Sequence, residues 1–450
     1  MLHAVRIILC LTMVFAYLFQ VFLKHPIAPT VVSILTAAVI LVSFPYISRV
    51  NRVVSSLLFI AGTYFLFANS NSISAYLKAI RSNTGLLSFF VVVPILSIPF
   101  RFEKYQQALK MFYNANIKSK KQFYLFTSVI SYFFSALVNV AAIPIVLEIV
   151  SVNTQLAKDR ILPKVLLRGF TASALWAPSF LSVALVLSLT NVDWLELLPP
   201  GLFLSVVFVL FGWILEFNNI TDNFNIFNED SLDFDRKSYT KYINQLLITF
   251  ILLFASIIFF NEYTSYGILV IVPIASILFP LLWTIATKQK QFFKNELQQY
   301  IHKKLPDVKN ELVLFGIAGY IGHAISQYSN SSKVFEFLQS LNTLHPVIFS
   351  FLIIIIIIAV ALIGLHPLVS VTTLAALLST LNHGFSNVYL ALTYLSGYTL
   401  AVILSPFSAT ILVTSGLFKI SPFKIGLKAN LIYSLLCALI SSLCIGIFFF

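Results

Sequence analysis

The stretch YLFTSVISYFFSALVNVAAIPIVLEIVSV, residues 124–152, decides how the chain is laid through a membrane. It carries no charge before Glu148 and is longer than the ~20 residues that cross ~30 Å of hydrocarbon as a helix. Asn139 and Pro144 stand near its middle, and both are poor residues for a lipid-facing helix. A single crossing would also put Lys158, Arg160, Lys164 and Arg168 on the opposite side from Arg101, Lys104, Lys110, Lys118, Lys120 and Lys121. The positive-inside rule places both groups on the cytoplasmic face. A re-entrant hairpin, entering and leaving from one face, meets both objections. Its tip can hold irregular backbone where protein buries it or where it lines a cavity.

The rest of the chain fits a membrane setting. Of 450 residues, 59% are hydrophobic and only 10% charged, against about 25% charged in a soluble domain. Mean hydropathy is +0.93. Apolar spans are expected at about 7–23, 28–47, 53–70, 86–100, 165–190, 197–217, 244–260, 266–287, 311–328, 386–416 and 430–449. The first is read as an uncleaved helix, because no small-residue cleavage site follows it. Residues 101–123 read as a basic amphipathic segment on the inner surface. A second long apolar stretch, 346–381, is broken at Gly364-Leu365-His366-Pro367 and reads as a second hairpin. With both hairpins, 25 of the 29 Lys and Arg residues fall inside, and only Lys24, Lys78, Arg81 and Lys333 fall outside. The expectation is an all-α polytopic membrane protein of about eleven spans and two hairpins. The composition bias fits an AT-rich bacterial genome, so the expected location is the plasma (inner) membrane of a bacterium, multi-pass, with the N-terminus cytoplasmic.

The net charge of +13 is assigned to the edges of spans, so no nucleic-acid partner is expected; the expected partners are the lipid bilayer and a small-molecule anion. Cys10, Cys437 and Cys444 lie in apolar runs without paired spacing, which excludes a disulfide framework and a zinc site from the reading. No P-loop, Gly-x-Ser-x-Gly elbow or paired intramembrane carboxylates emerge. No enzymatic activity and no cofactor are therefore expected, beyond a coupling ion, H+ or Na+. The reading from another class is a multispanning enzyme of polysaccharide or lipid assembly. It would need catalytic groups on sizeable external loops, which the expected topology lacks.

The two halves repeat one order of parts. A hairpin broken at Asn139 precedes a span broken at Trp176-Ala177-Pro178-Ser179; a hairpin broken at His366-Pro367 precedes a span broken at Ser405-Pro406-Phe407-Ser408. Five spans separate the equivalent units, so the copies have opposite orientation. Inverted repeats with broken helices near the midplane mark secondary transporters. The expected organisation is an extra N-terminal helix at 1–25, a first repeat at 26–217 and a cytoplasmic linker at 218–243. An inverted second repeat follows at 244–450.

In this order and spacing the chain resembles the ion transporter superfamily, which includes divalent anion:sodium symporters, arsenite-pump and antiporter relatives, and citrate and gluconate permeases. Ser135-Ala-Leu-Val-Asn139-Val-Ala-Ala-Ile-Pro144 is similar to that family's first hairpin tip, and Gly364 to Thr373 occupies the place of the second. The family's symporters carry Ser-Asn-Thr at both tips; here the first tip keeps only Asn139 and the second has His366-Pro367. The resemblance implies an elevator-type movement and admits a homodimer. The expected function is secondary active transport of a small organic or inorganic anion, coupled to protons or sodium. An anion would be held by freed N–H groups and positive helix ends, with Asn139, Pro178, Ser179, Ser405, Pro406, Ser408 and Thr410 as the expected substrate site. His366, Asn139 and Thr372 form the expected ion-coupling site, His366 because an imidazole titrates near physiological pH. His323, in a glycine-spaced run, is read as packing.

Single cysteines placed in 101–121 and in 153–163 are expected to react with a membrane-impermeant thiol reagent from the same, cytoplasmic, side. Reaction from opposite sides would remove the first hairpin.

Overall fold

The computed structural model describes residues 2–69, 72–117, 119–150, 161–217, 236–326, 344–378 and 384–449. Its helices are, in chain order, α1 (Leu2–Leu23), α2 (Ala28–Ser43), α3 (Arg49–Asn69), α4 (Ile73–Arg81), α5 (Thr84–Leu96), α6 (Glu103–Asn116), α7 (Lys120–Val138) and α8 (Ala142–Val150). Then come α9 (Ile161–Ser173), α10 (Leu181–Thr190), α11 (Trp194–Glu216), α12 (Arg236–Tyr263), α13 (Ile268–Thr287), α14 (Lys290–Gln299) and α15 (Lys309–Ser326). The last are α16 (Pro346–Leu362), α17 (Pro367–Leu378), α18 (Asn387–Leu404), α19 (Ala409–Phe418) and α20 (Ala429–Phe448). No strand occurs among the described residues. The protein is an all-α polytopic membrane protein.

Among the described residues, ten helical segments are long and apolar enough to cross a membrane. Nine coincide with expected spans, and the tenth is 120–150, the first expected hairpin. The expected spans at 165–190 and 311–328 fall outside this set; the first of them is two short helices, α9 and α10, rather than one long one. Phe15, Leu41, Phe67, Ile285 and Ile432 stand exposed on these segments, as side chains meant for lipid do. The acidic linker, apart from its last residues, and the polar segment 330–343 lie outside the described residues, as do 151–152 and 379–381 of the two expected hairpins.

The chain divides into two compact units, neither of which follows the repeat boundaries expected from sequence. Unit 1 comprises Met1–Leu96, Tyr266–Leu344 and Val371–Gly384. There α15 packs on α2, α3 and α4, and α5 packs on α1 and α13. Helix approach at α15 depends on its glycines: a Cβ on Gly319 would fall 2.4 Å from Asn83 Cγ, and Asn83 Nδ2 donates to the Phe315 carbonyl at 2.9 Å.

Unit 2 comprises Ser97–Ser265, His345–Ser370 and Phe385–Phe450. The amphipathic segment expected at 101–123 appears as α6, which buries Tyr105, Ala108 and Tyr113 along one face. Burial pushes the Tyr113 phenol well above its usual range. Two three-helix groups repeat within this unit. In the first, α7, α9 and α11 pack mutually; in the second, α16, α18 and α20 do the same. Each group uses a glycine at the tightest approach. A Cβ on Gly169 would meet Ser128 O at 2.4 Å, and one on Gly397 would meet Ile357 Cδ1 at 2.6 Å.

Arg168 ties the two groups together. The sequence reading put it at the basic edge of a span; instead it lies inside α9 and is only 3% exposed. Its guanidinium reaches Glu216 Oε1 at 3.1 Å, Asn430 Oδ1 at 3.1 Å, Tyr124 Oη at 3.2 Å and the Gly212 carbonyl at 3.3 Å. It also sits 4.5 Å from the centre of the Tyr433 ring. Lys164 Nζ donates to the same Glu216 oxygen at 2.9 Å. A buried guanidinium is tolerated because its fork of donors is met on every side.

The asymmetry of this cluster sets an expectation. Glu216→Leu strands Arg168 without a carboxylate, and losing one partner of a buried pair costs about 3–5 kcal/mol. Arg168→Met leaves Glu216 with Lys164 and is expected to cost less. Thermal unfolding of both purified variants checks the order; a larger loss in R168M would give the burden of stability to the guanidinium's neutral partners instead.

Candidate functional site

The stretch expected as the first hairpin is interrupted at Asn139. Asn139 closes α7 with φ 53° and ψ −138°, a positive-φ conformation outside the left-handed helical region and strained for any side chain. A 3-10 turn, Asn139–Ala141, leads into α8. The Asn139 Oδ1 accepts the Val140 N–H at 2.9 Å, so the amide oxygen holds its own turn. Helix α8 packs against α7 and also against α6, the helix that precedes α7, as a chain that doubles back does.

The second break carries the same feature on a different residue. Helix α16 ends at Leu362, and Gly364 adopts φ 97°, which glycine takes at little cost. Gly364 lies three residues after Ala361, as Asn139 lies three after Ala136. The structural counterpart of Asn139 is therefore Gly364 rather than His366, with which the sequence reading paired it. A one-to-one text match missed this because the two tips share a positive φ and no side chain.

The broken spans fit against these tips in matched ways. The segment 174–180 separates α9 from α10, and 405–408 separates α18 from α19. Ser179 Oγ donates to the Ala136 carbonyl at 2.5 Å, and Ser405 Oγ donates to the Ala361 carbonyl at 2.7 Å. Each serine thus clamps the last turn of a hairpin arm to the break beside it. Both are buried, at 4% and 2% exposure, and Pro178 and Pro406 beside them are buried too. The breaks also meet each other: α10 packs on α18, and α9 packs on both α18 and α19. Each leading half thus contacts the other span's trailing half, and the two leading halves also contact each other.

The remaining expected residues separate by role. Ser408 caps α19, accepting the Ile411 N–H at 3.3 Å and donating to the Val402 carbonyl at 2.7 Å. Thr410 is buried in the first turn of α19. Thr372 is buried on α17 but belongs to unit 1, whereas the other expected residues belong to unit 2. His366 precedes α17, and its Nδ1 accepts the Leu368 N–H at 3.3 Å. The same contact recurs at His25, whose Nδ1 accepts from Ile27, and at His345, whose Nδ1 accepts from Val347. In all three cases proline follows histidine. Proline removes a donor that the first turn does not use, and the imidazole takes the next one. The thrice-repeated His-Pro pair was the sequence signal for this capping.

This geometry assigns hydrogen-bond capacity. A hydroxyl has one proton to give, and those of Ser179, Ser405 and Ser408 are all given to carbonyls. Their oxygens keep lone pairs, which suit a hard cation better than an anion. The N-termini of α10 and α19 supply N–H groups and positive dipole ends instead. Among the described residues, no group of three or more His, Cys, Asp or Glu could hold a metal ion.

Gly364 offers a direct check on the tip. The nearest atom to an added Cβ there is Phe407 Cδ2 at 3.6 Å, an ordinary contact, so the cost of substitution is backbone strain alone. Gly364→Val is expected to lose about 1–3 kcal/mol, and Gly364→Asn clearly less, in thermal unfolding of the purified protein.

No family model and no curated protein sequence matches the chain. Among solved structures, the chain is similar to the YdaH transporter of Alcanivorax borkumensis, whose crystal structure was described as having an unusual topology. The likeness covers 82% of this chain and 86% of that one, with a TM-score of 0.55 and 15% sequence identity. At that identity what is shared is the fold, and the chain has the fold of a polytopic membrane transporter.

Proposed function

We propose that this protein is a secondary active transporter that moves a small organic or inorganic anion across the plasma membrane of a bacterium. The observation that carries the reading is the matched pair of clamps, Ser179 to Ala136 and Ser405 to Ala361, on two broken helices that pack crosswise. Fixed breaks of this kind present helix ends to a substrate without exposing unsatisfied backbone to lipid. The 120–150 pair is read as re-entrant, with the N-terminus cytoplasmic. In this reading the anion rests on the N–H groups that open α10 and α19, with Asn139 and Thr410 adding polar contacts. Ser179, Ser405 and Ser408 hold the breaks open and can offer oxygen lone pairs to a coupling cation. The likeness to a solved transporter supports transport as the class of function, and the ion transporter superfamily remains the proposed kin.

Coupling is proposed to run through protons, with sodium as the second reading. A second proton on His366 must settle on Nδ1, the atom that accepts the Leu368 N–H. Protonation would therefore release the first turn of α17, which turns a titration into a movement. The favoured observation for sodium is the set of serine oxygens whose protons are already committed.

Uptake into proteoliposomes across a panel of organic and inorganic anions, under an imposed pH or sodium gradient, tests the function. Pro178→Ala and Pro406→Ala are expected to lower uptake while insertion and expression stay near wild type. Unchanged uptake in both would make the breaks structural kinks. His366→Gln keeps hydrogen bonding without titration and is expected to flatten the pH dependence. An unaltered pH profile, or an absolute need for sodium, would leave His366 as a cap alone.

A further inference from the structure

Unit 2 contains a cavity of about 300 Å³ that none of the transport residues lines. Its charged lining is Lys164, Lys424 and Lys428, set beside Pro163, Ile420 and Ile425. Among the described residues, the lining contains no acidic side chain. Lys164 shares its carboxylate, Glu216, with Arg168, so that single negative charge already faces two cations. Lys424 and Lys428 both stand exposed at the opening, while Ile425 between them is buried. They begin and end a π-helical turn, Lys424–Lys428. That wider turn keeps residues four apart on one side, and π-turns are frequent at functional sites. Two like charges at this spacing repel each other. The first residue of α20, Ala429, also lines the cavity, and its N–H is already bonded to the carbonyls of Lys424 and Gly426 in the π-helical turn, so the lysines carry the charge.

We propose that this cavity is a binding site for a phosphate-class oxyanion, separate from the helix breaks. The three ammonium groups supply both the neutralising charge and the charge-assisted hydrogen-bond donors. The volume admits a phosphate with part of its ester or its hydration, since water takes about 30 Å³ per molecule. Two sources share this chemistry: the headgroup of an anionic phospholipid and a free phosphate. The apolar wall of Pro163, Ile420 and Ile425 can lie against a glycerol backbone in the first case. The site does not depend on the direction of transport or on the coupling ion.

The test uses the full chain, purified into nanodiscs of zwitterionic lipid. Phosphatidylglycerol is titrated in one arm and inorganic phosphate in the other, with native mass spectrometry and the unfolding midpoint as readouts. A response to phosphatidylglycerol alone assigns the site to lipid, and a response to inorganic phosphate assigns it to a soluble anion. In either arm K424Q/K428Q is expected to weaken binding about thirtyfold, at about a factor of five for each lysine near the surface. K424R/K428R keeps the charge and is expected to keep binding. Both side chains are exposed, so neither double variant threatens folding. Equal responses in the wild type and K424Q/K428Q, or no response to either ligand, overturn the proposal.

Discussion

Inside a bilayer no water is present to satisfy a backbone N–H or carbonyl, so every interruption of a helix must be answered by protein. The two broken spans show how this chain does so. Where α9 gives way to α10 and α18 to α19, a serine hydroxyl reaches across to a carbonyl near the end of a hairpin arm. The bond fixes the break against the tip, where the Ala361 carbonyl also accepts the Gly364 N–H at 3.1 Å. Everything functional that the fold offers, from exposed helix ends to spare oxygen lone pairs, follows from keeping those four interruptions in register.

The same constraint explains the buried charge. Arg168 would be prohibitive alone in α9, yet each side of its guanidinium meets a partner: Glu216, Asn430, Tyr124, the Gly212 carbonyl and the face of Tyr433. These partners come from α7, α11 and α20. Such a cluster specifies one arrangement of helices, because a shifted helix would leave a charge unpaired at a cost of several kcal/mol. Close approach at Gly169 and Gly397 acts in the same direction through dispersion contacts.

Much of this was legible from composition and order. Polytopic helix, the interrupted stretches and the matched order of the two halves all rest on hydropathy and on residues that helices tolerate poorly. The serine of each break was legible too, since Ser179 and Ser405 follow or precede a proline at the interruption. Other features were misread for definite reasons. Arg168 looked like a residue at the edge of a span because basic residues cluster at membrane edges, and only packing reveals its five partners. His366 was matched to Asn139 because both are polar residues at a break, whereas the shared element is a positive φ that Asn139 and Gly364 both accept. The His-Pro caps were present as text three times, at His25, His345 and His366, and their repetition marked a local backbone role.

The sequence by itself determined that the chain is built of membrane helices, where they are interrupted, and that the interruptions come in two matching sets. Those follow from local quantities: the hydropathy of a window, the missing donor of proline, the side of a span on which lysine gathers. Only the tertiary structure decided which carbonyl each serine clamps, that the halves of the broken spans pack crosswise, that Arg168 is buried, and that Lys164, Lys424 and Lys428 face one cavity. These are relations between residues tens to hundreds of positions apart. They are set by which surfaces fit closely and which polar groups find partners, and no single window of sequence contains that information.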